Sequence, residues 1–294
     1  MSSEEGLLSQ AFEMWTDFKN EILYRNRFNI KHEVLDILES IANSCESTLE
    51  SGEILYRARI YTADTTFLHY LKAEEISEEN NLFKHFNKAK INNKMKTKFW
   101  GYDEKDSFVP LDNNIVSDGR ANPSYIKYLY TAEEPYTALV EVRPYLGSRV
   151  SIAEIKVNEP LIITDFSYDS FGKLNGLEQN LLFMIMRDFS RPSDFDKKSY
   201  IPTQYVSEFI KNLGLEGIKF NSSLHERGRN ITIFNYEKCQ AIGSSLYEVE
   251  DICFEAKGIA PLHQKTLIHH KIEPFKFKQA QELLDKLGKK NYDK

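Results

Sequence analysis

The sequence predicts an α+β protein in which a helical segment precedes a mixed sheet. Apolar residues in the first fifty positions recur at steps of three and four, the spacing of one helix face. From Ile54 onward, short runs rich in β-branched and aromatic residues alternate irregularly with amphipathic stretches. The chain has no regular strand–helix–strand rhythm and no glycine-rich phosphate-binding loop, so a Rossmann or P-loop nucleotide site is disfavoured.

The N-terminal residues 1–52 form the predicted helical segment. One apolar stripe consists of Leu7, Leu8, Phe12, Trp15, Phe18, Ile22 and Leu23. A second helix carries Val34, Leu35, Leu38 and Ile41 on one face. Gly52 ends this segment, and the run ILYRARIY that follows is typical of a strand.

Residues 53–256 form the predicted main unit, with an expected insertion at about 62–116 that we interpret as helix and loop. Strands are predicted for YIKYLY, VSIAEIKV, LIITDF, GIKFNSS and ITIFN. Helices are predicted within TAEEPYTALVEVRPY and over 176–190 and 203–213, the last ending at Gly214 in the manner of a helix C-cap. Residues 257–294 form a predicted basic helical tail with nine lysines, four acidic residues and a helix after Pro274.

Composition and charge exclude several classes of protein. With 294 residues, 41% hydrophobic and 28% charged, the chain resembles an ordinary globular protein that buries roughly 75% of its unfolded surface. A net charge of -6 argues against a whole-molecule nucleic-acid binder. Cys45, Cys239 and Cys253 form no CxxC pair, which disfavours a zinc ribbon and favours a reducing compartment. Because no signal peptide or membrane span is recognisable, we expect a cytoplasmic protein without a membrane partner.

Four clusters contain residues that could carry chemistry. They are LYRAR (55–59), the block DGRANPSYIKYLYTAEEPYTALVEVRP (118–144), YIPTQYVSEFI (200–210) and LEGIKFNSSLHERGRNITIFN (215–235). Taken singly, each has an ordinary structural interpretation, such as a paired arginine at a sheet edge or a Gly-Asn-Pro turn. Their combination and order are more specific than any one of them.

In that order the clusters resemble the RES-domain family, which is named for its arginine, glutamate and serine. The resemblance covers about residues 54–236 and leaves the helical start and residues 62–116 outside it. The sequence departs from the family in one turn, where RGRN (227–230) stands in place of the usual Gly-Gly-x-Asn. The resemblance implies an ADP-ribosyltransferase-like fold and action on NAD⁺. It also implies a toxin neutralised by an Xre-type antitoxin, or an enzyme that breaks NAD⁺ with phosphate or water or modifies a protein.

By the same resemblance, the family's arginines correspond to Arg57 and Arg120, its tyrosine to Tyr130 and its glutamate to Glu141. Its serine corresponds to Ser222 or Ser223, and the sequence leaves both open. We interpret Glu141, Tyr130 and Arg57 as catalytic. The residues expected to bind NAD⁺ are Arg57, Arg120, Tyr130, Ser222 and Ser223.

The chemistry of these residue types suits NAD⁺ as substrate. The planar fork of arginine donates parallel hydrogen bonds to phosphate oxygens, so Arg57 and Arg120 are expected to hold the pyrophosphate. Breaking the nicotinamide–ribose bond builds positive charge on the ribose, which the carboxylate of Glu141 would stabilise. The ring of Tyr130 would stack on the cationic nicotinamide, and a serine hydroxyl would bind ribose or phosphate. We expect no metal, and inorganic phosphate is a candidate co-substrate.

The sequence therefore predicts an NAD⁺-degrading enzyme, acting by phosphorolysis or hydrolysis as a bacterial toxin or phage-defence effector, with a cognate antitoxin or regulatory protein as partner. One alternative is a protein ADP-ribosyltransferase. A second is a HEPN-type ribonuclease or RNA-binding protein, because Arg25 and Arg27 precede His32 at a spacing similar to the HEPN motif. The lysine run from Lys84 to Lys98 would serve the same alternative, although a solvated helix face is the favoured interpretation and we expect no nucleic-acid partner.

Overall fold

The computed structural model describes residues 4–63, 93–190, 197–257 and 267–272. Its α-helices include α1 (Glu4–Tyr24), α2 (Glu33–Ser44), α3 (Glu104–Ser107), α4 (Pro135–Glu141), α5 (Gly176–Ser190) and α6 (Ile201–Asn212). Its strands are β1 (Glu46–Leu49), β2 (Ile54–Ile60), β3 (Leu129–Ala132), β4 (Arg149–Val157), β5 (Leu161–Asp165), β6 (Gly217–Asn221), β7 (Arg229–Ile233), β8 (Cys239–Glu248), β9 (Ile252–Lys257) and β10 (Leu267–Ile272).

One mixed sheet organises the described residues. Its strand order is β1-β5-β6-β7-β3-β2-β4-β8, in which β5 and β6 are parallel and the other neighbours are antiparallel. Strands β9 and β10 form a separate antiparallel pair. Helices and strands thus mix without a repeating strand–helix–strand unit, and the predicted α+β class is confirmed.

The helices α1, α2, α5 and α6 share a hydrophobic core with part of the sheet. Its members include Trp15, Phe18, Leu38 and Ile185, each no more than 1% exposed, together with Ile218 and Phe220 of β6. A second hydrophobic cluster consists mainly of strand residues whose side chains point to the opposite face of the sheet, among them Leu55, Leu129, Ile155, Ile163 and Ile231. The sheet is therefore apolar on both faces, which holds its central strands β7, β3 and β2 in place.

The N-terminal segment differs from the prediction at its end. Residues 46–49 were expected to be helical, but they form β1, which pairs in antiparallel register with β5. Helix α2 ends at Ser44, and Gly52 adopts a positive φ of 98° in the turn between β1 and β2. The helical prediction is wrong for β1 because a four-residue strand is specified by its partner and carries no periodicity of its own.

Other differences lie at strand ends and beyond the predicted core. The strand predicted for YIKYLY begins only at Leu129, because Tyr125 has a φ of 71° and its N–H donates to the Val116 carbonyl, which closes a loop over 116–125. Strands β8 and β9 were not predicted. Within the tail 257–294, residues 267–272 form β10, and the helix predicted after Pro274 lies outside the described residues, as do positions 64–92 of the insertion. None of the described helices combines the length and apolar character that a membrane span requires.

Candidate active site

An open cleft of about 240 Å³ lies where β2 and β3 meet α4 near the centre of the sheet. Strands β2, β3, β6 and β7, helix α4 and the loop before β3 supply its lining residues: Tyr56, Arg57, Ala58, Arg120, Tyr130, Thr131, Ala132, Ala138, Glu141, Val142, Phe220 and Asn230. Four predicted site residues, Arg57, Arg120, Tyr130 and Glu141, thus come together from separate segments of the chain.

The carboxylate of Glu141 is held by two side-chain donors. Ser222 Oγ donates to Glu141 Oε1 at 2.7 Å, and Asn230 Nδ2 donates to the same oxygen at 2.6 Å. Glu141 is the last residue of α4, where the negative end of the helix dipole disfavours a second negative charge. The two donors offset that cost, and no other described residue hydrogen-bonds Oε2. One carboxylate oxygen therefore remains available to a ligand.

The structure places Ser222, and not Ser223, beside the glutamate. Ser222 is 8% exposed, and its Oγ also accepts hydrogen bonds from the backbone N–H groups of Leu224 and His225, each at 3.1 Å. The side chain of Ser223 is exposed. Neither serine lines the cleft, so Ser222 reaches the site through its hydrogen bond to Glu141. The hydroxyl of Ser222 is thus oriented by the turn that carries it, so its proton points to Glu141.

Arg120 projects from the loop at residues 118–123, which packs tightly against Tyr130. A Cβ atom on Gly119 would lie 2.6 Å from the Tyr130 hydroxyl oxygen and 2.3 Å from Asn122 Oδ1. Only glycine fits this position without displacing its neighbours. No described residue forms an ion pair or hydrogen bond with the Arg120 guanidinium, which leaves the group available in the cleft.

The hydroxyl of Tyr130 is fully used in holding that loop. It accepts hydrogen bonds from the N–H groups of Ala121 at 3.1 Å and Asn122 at 3.2 Å, and it donates to Asn122 Oδ1 at 2.7 Å. Burial raises the pKa of Tyr130 to about 12. The phenol is therefore a structural anchor that stays protonated at neutral pH, and the ring is the part of Tyr130 that meets a ligand in the cleft.

Arg57 contributes a second cation from β2. Its Nη1 donates to the Tyr130 carbonyl at 3.3 Å, while its buried Nε has no partner among the described residues. Burial, together with the nearby charge of Arg59, lowers the pKa of Arg57 to about 10, so the group remains charged at neutral pH. Arg59 itself is exposed and lies over the ring of Tyr102, 4.9 Å from its centroid.

Sequence reasoning did not assign a role to Asn230 or to the residues at the start of α6. Asn230 is the last residue of RGRN, and its position in that family turn was the available signal. Arg227, where the family usually has glycine, is exposed, whereas Gly228 lies so close to α4 that a Cβ there would be 2.6 Å from Thr137 Oγ1. The departure thus falls on the turn position that faces solvent, and the two positions that contact the site agree with the family pattern.

The residues of the alternative ribonuclease motif do not meet in one site. His32 caps α2, accepting from the Val34 N–H through Nδ1 at 3.2 Å, and its Nε2 lies 3.5 Å from Asp17. Arg25 pairs with Glu21, whereas Arg27 lines a different groove. In the lysine run, Lys94 Nζ donates to three backbone carbonyls at 99–101, and positions 84–92 lie outside the described residues. Within the described ranges, no His, Cys, Asp and Glu residues are grouped so that they could hold a metal ion.

Comparisons with known proteins give a family match and a similar solved structure. No curated protein matches the chain. The solved structure of the M. tuberculosis MbcT–MbcA toxin–antitoxin complex is similar over 74% of this chain and 91% of that one, with 13% identity and a TM-score of 0.38. A model of the RES domain matches residues 95–254, a range that includes Arg120, Tyr130, Glu141 and Ser222 and begins after β2 with Arg57. Since that match spans more than half of the sequence, the chain belongs to the RES domain family.

Proposed function

We propose that this protein degrades NAD⁺ by breaking the bond between nicotinamide and ribose, through phosphorolysis or hydrolysis. The observation that carries the proposal is the pairing of opposite charges in one cleft. Glu141 presents an oriented carboxylate with one free oxygen, while Arg57 and Arg120 present cations that no described carboxylate neutralises. A dianionic pyrophosphate and a ribose that becomes cationic are complementary to this arrangement.

The size of the cleft indicates that only one end of NAD⁺ would lie inside it. Its volume of about 240 Å³ is below the roughly 300–1,000 Å³ of pockets that enclose a drug-sized ligand. The cleft would therefore take the nicotinamide riboside end, with the ring of Tyr130 against the nicotinamide. Arg57, from the central strand β2, and Arg120, from its loop, would hold the pyrophosphate, and the adenosine half would extend outside the cleft.

In the proposed reaction, the C1″–N bond of the nicotinamide ribose breaks and its electron pair leaves with nicotinamide, which becomes neutral. The positive charge that develops on the ribose is stabilised by the carboxylate of Glu141, whose Oε1 is held by Ser222 and Asn230 and whose Oε2 faces the ligand. An oxygen of inorganic phosphate then bonds to C1″ and yields ADP-ribose-1″-phosphate. With water as the acceptor the product is ADP-ribose, and one proton is released.

A cytoplasmic enzyme of this kind would starve its cell of NAD⁺. We propose that it acts as the toxin of a toxin–antitoxin pair or as a phage-defence effector, restrained by a cognate antitoxin or regulatory protein. Protein ADP-ribosylation remains the alternative, because it uses the same bond cleavage with a side chain as the acceptor. The two activities differ in whether ADP-ribose is found free or attached to a macromolecule.

The test is incubation of the purified full-length chain with NAD⁺, with and without phosphate, followed by mass spectrometry of the products. Nicotinamide with ADP-ribose-1″-phosphate identifies a phosphorylase, and nicotinamide with free ADP-ribose identifies a glycohydrolase. A parallel reaction with cell extract detects ADP-ribose on proteins, which would replace the proposal by the alternative. Unchanged NAD⁺ in every reaction, with protein whose folding is verified by circular dichroism, would contradict both.

A further inference from the structure

We infer that Thr203 and Gln204, at the start of α6, are positioning residues that hold Arg120 in the geometry needed to bind the substrate pyrophosphate. The inference rests on the proposed function, because it concerns how one arginine of that site is presented. Neither side chain is assigned to the NAD⁺ contact itself. Both act on the backbone of the loop at 118–123, and Thr203 lies outside the cleft lining.

The two side chains donate hydrogen bonds to backbone carbonyls before and after the Cα atom of Arg120. Thr203 Oγ1 donates to the carbonyl oxygen of Arg120 at 2.6 Å. Gln204 Nε2 donates to the carbonyl oxygens of Gly119 at 2.9 Å and Asn122 at 3.0 Å. The Tyr130 hydroxyl accepts from the N–H groups of Ala121 and Asn122, so the carbonyls of Gly119 and Arg120 and the N–H of Ala121 all have partners.

The start of α6 is itself a rigid support. Thr203 is fully buried, and its carbonyl accepts from Ser207 Oγ at 2.9 Å. Val206 and Ile210 on the same helix are also fully buried. Tyr205 packs edge-on against Phe18 of α1, with ring centroids 5.7 Å apart. The N-terminal helices therefore support the helix that fixes the arginine loop.

Arg120 needs such support because its loop has no regular secondary structure. A flexible loop would spread the guanidinium over many positions, and fixing it would then cost conformational free energy at the moment of binding. Hydrogen bonds from a packed helix remove that cost in advance. Loss of these bonds should therefore weaken substrate binding more than it slows the bond cleavage.

The experiment compares Thr203→Val and Gln204→Met, which remove the donors with little change in size, with Thr203→Ser, which keeps the hydroxyl. KM and kcat for NAD⁺ are measured for each variant alone and combined with Arg120→Ala. We expect Thr203→Val, which loses one hydrogen bond to the loop, and Gln204→Met, which loses two, each to raise KM by about tenfold with a smaller change in kcat. Thr203→Ser should remain near wild type.

The Arg120→Ala background separates positioning from general damage. If the two residues act through Arg120, their effects on KM should largely disappear once the guanidinium is absent. Equal effects in both backgrounds, or an unchanged KM in both single variants, would overturn the inference.

Hydrogen exchange supplies a readout that does not depend on turnover. In Thr203→Val and Gln204→Met, the amides of Ala121 and Asn122 should exchange faster than in wild type, whereas those of β4 should not change. Absence of NAD⁺ turnover in the wild-type protein would count against the proposed function alone. Unaltered exchange at Ala121 and Asn122 would count against the positioning role alone.

Discussion

The two charged sides of the cleft are built in opposite ways. On the positive side, neighbours hold the backbone around Arg120 and leave its guanidinium free of protein partners among the described residues. On the negative side, the backbone of Glu141 belongs to α4, and neighbours hold the carboxylate itself through one oxygen. An arginine is always charged and carries several donors, so fixing its attachment point is sufficient. A carboxylate at a helix C-terminus faces the negative end of the helix dipole, and donors offset that cost and keep the group in one orientation.

The largest effect is expected when the negative charge of Glu141 is removed. Glu141→Gln keeps the size of the side chain but removes its charge, so kcat for NAD⁺ cleavage should fall by about 10²- to 10³-fold, the usual loss when one charge-stabilising group is removed. KM should change little. Glu226→Gln, which alters an exposed carboxylate in the β6–β7 turn, is the matched control. Wild-type turnover by a folded Glu141→Gln protein would show that Glu141 has no part in the reaction.

A smaller effect tests how the carboxylate is held. Ser222→Ala removes a 2.7 Å hydrogen bond to Glu141. Hydrogen bonds to charged groups contribute about 1.5–3 kcal/mol, so kcat/KM should fall by about 10- to 100-fold. Ser223→Ala changes an exposed hydroxyl outside the cleft and should stay within about twofold of wild type. The reverse order of the two effects would make Ser223 the functional serine.

The third prediction displaces the backbone that carries Arg120 on the positive side. Gly119→Ala places a methyl group 2.6 Å from the Tyr130 hydroxyl, so the Arg120 loop must shift. We expect the free energy of unfolding to drop by about 1–3 kcal/mol, as is typical of overpacking, and KM for NAD⁺ to rise by about tenfold. Denaturant unfolding and steady-state kinetics measure the two effects. At the control position Gly172 a Cβ meets nothing within 4 Å, and an unchanged Gly119→Ala protein would contradict the tight packing.

The smallest effect concerns the Tyr130 hydroxyl, which holds the Arg120 loop on the positive side. Burial raises its pKa to about 12, so folding favours the protonated phenol. The resulting contribution to stability is fully present below the ordinary tyrosine pKa of about 10 and is lost as the pH rises from there to about 12. The tyrosinate absorbance of wild type minus Tyr130→Phe should therefore be flat through pH 10. A difference signal centred near pH 10 would show that the hydroxyl is not buried in its loop.

Predictability from sequence differed between helices and strands. The helix predicted over 176–190 is confirmed as α5, and the one predicted over 203–213 is α6 at 201–212. Both have apolar residues at helical spacing over several turns, and Gly214, with a φ of 91°, follows the second. Strand β8 was missed because Gly243 and two serines interrupt its apolar pattern. Its structure depends on pairing with β4, which lies about ninety positions away in the chain.

The sequence by itself determined the α+β class and the order of the residue types along the chain that indicate the family: Arg57, Arg120, Tyr130, Glu141 and a serine pair. These are local features, because periodicity and motif order can be found without knowing which segments meet. Only the tertiary structure decided that Ser222 and Asn230 both donate hydrogen bonds to Glu141, and that the hydrogen-bonding capacity of the Tyr130 hydroxyl is used within its own loop. The contacts of Ser222 and Asn230 with Glu141 join residues more than eighty positions apart, and hydrogen-bond geometry at that range is set by packing of the whole sheet.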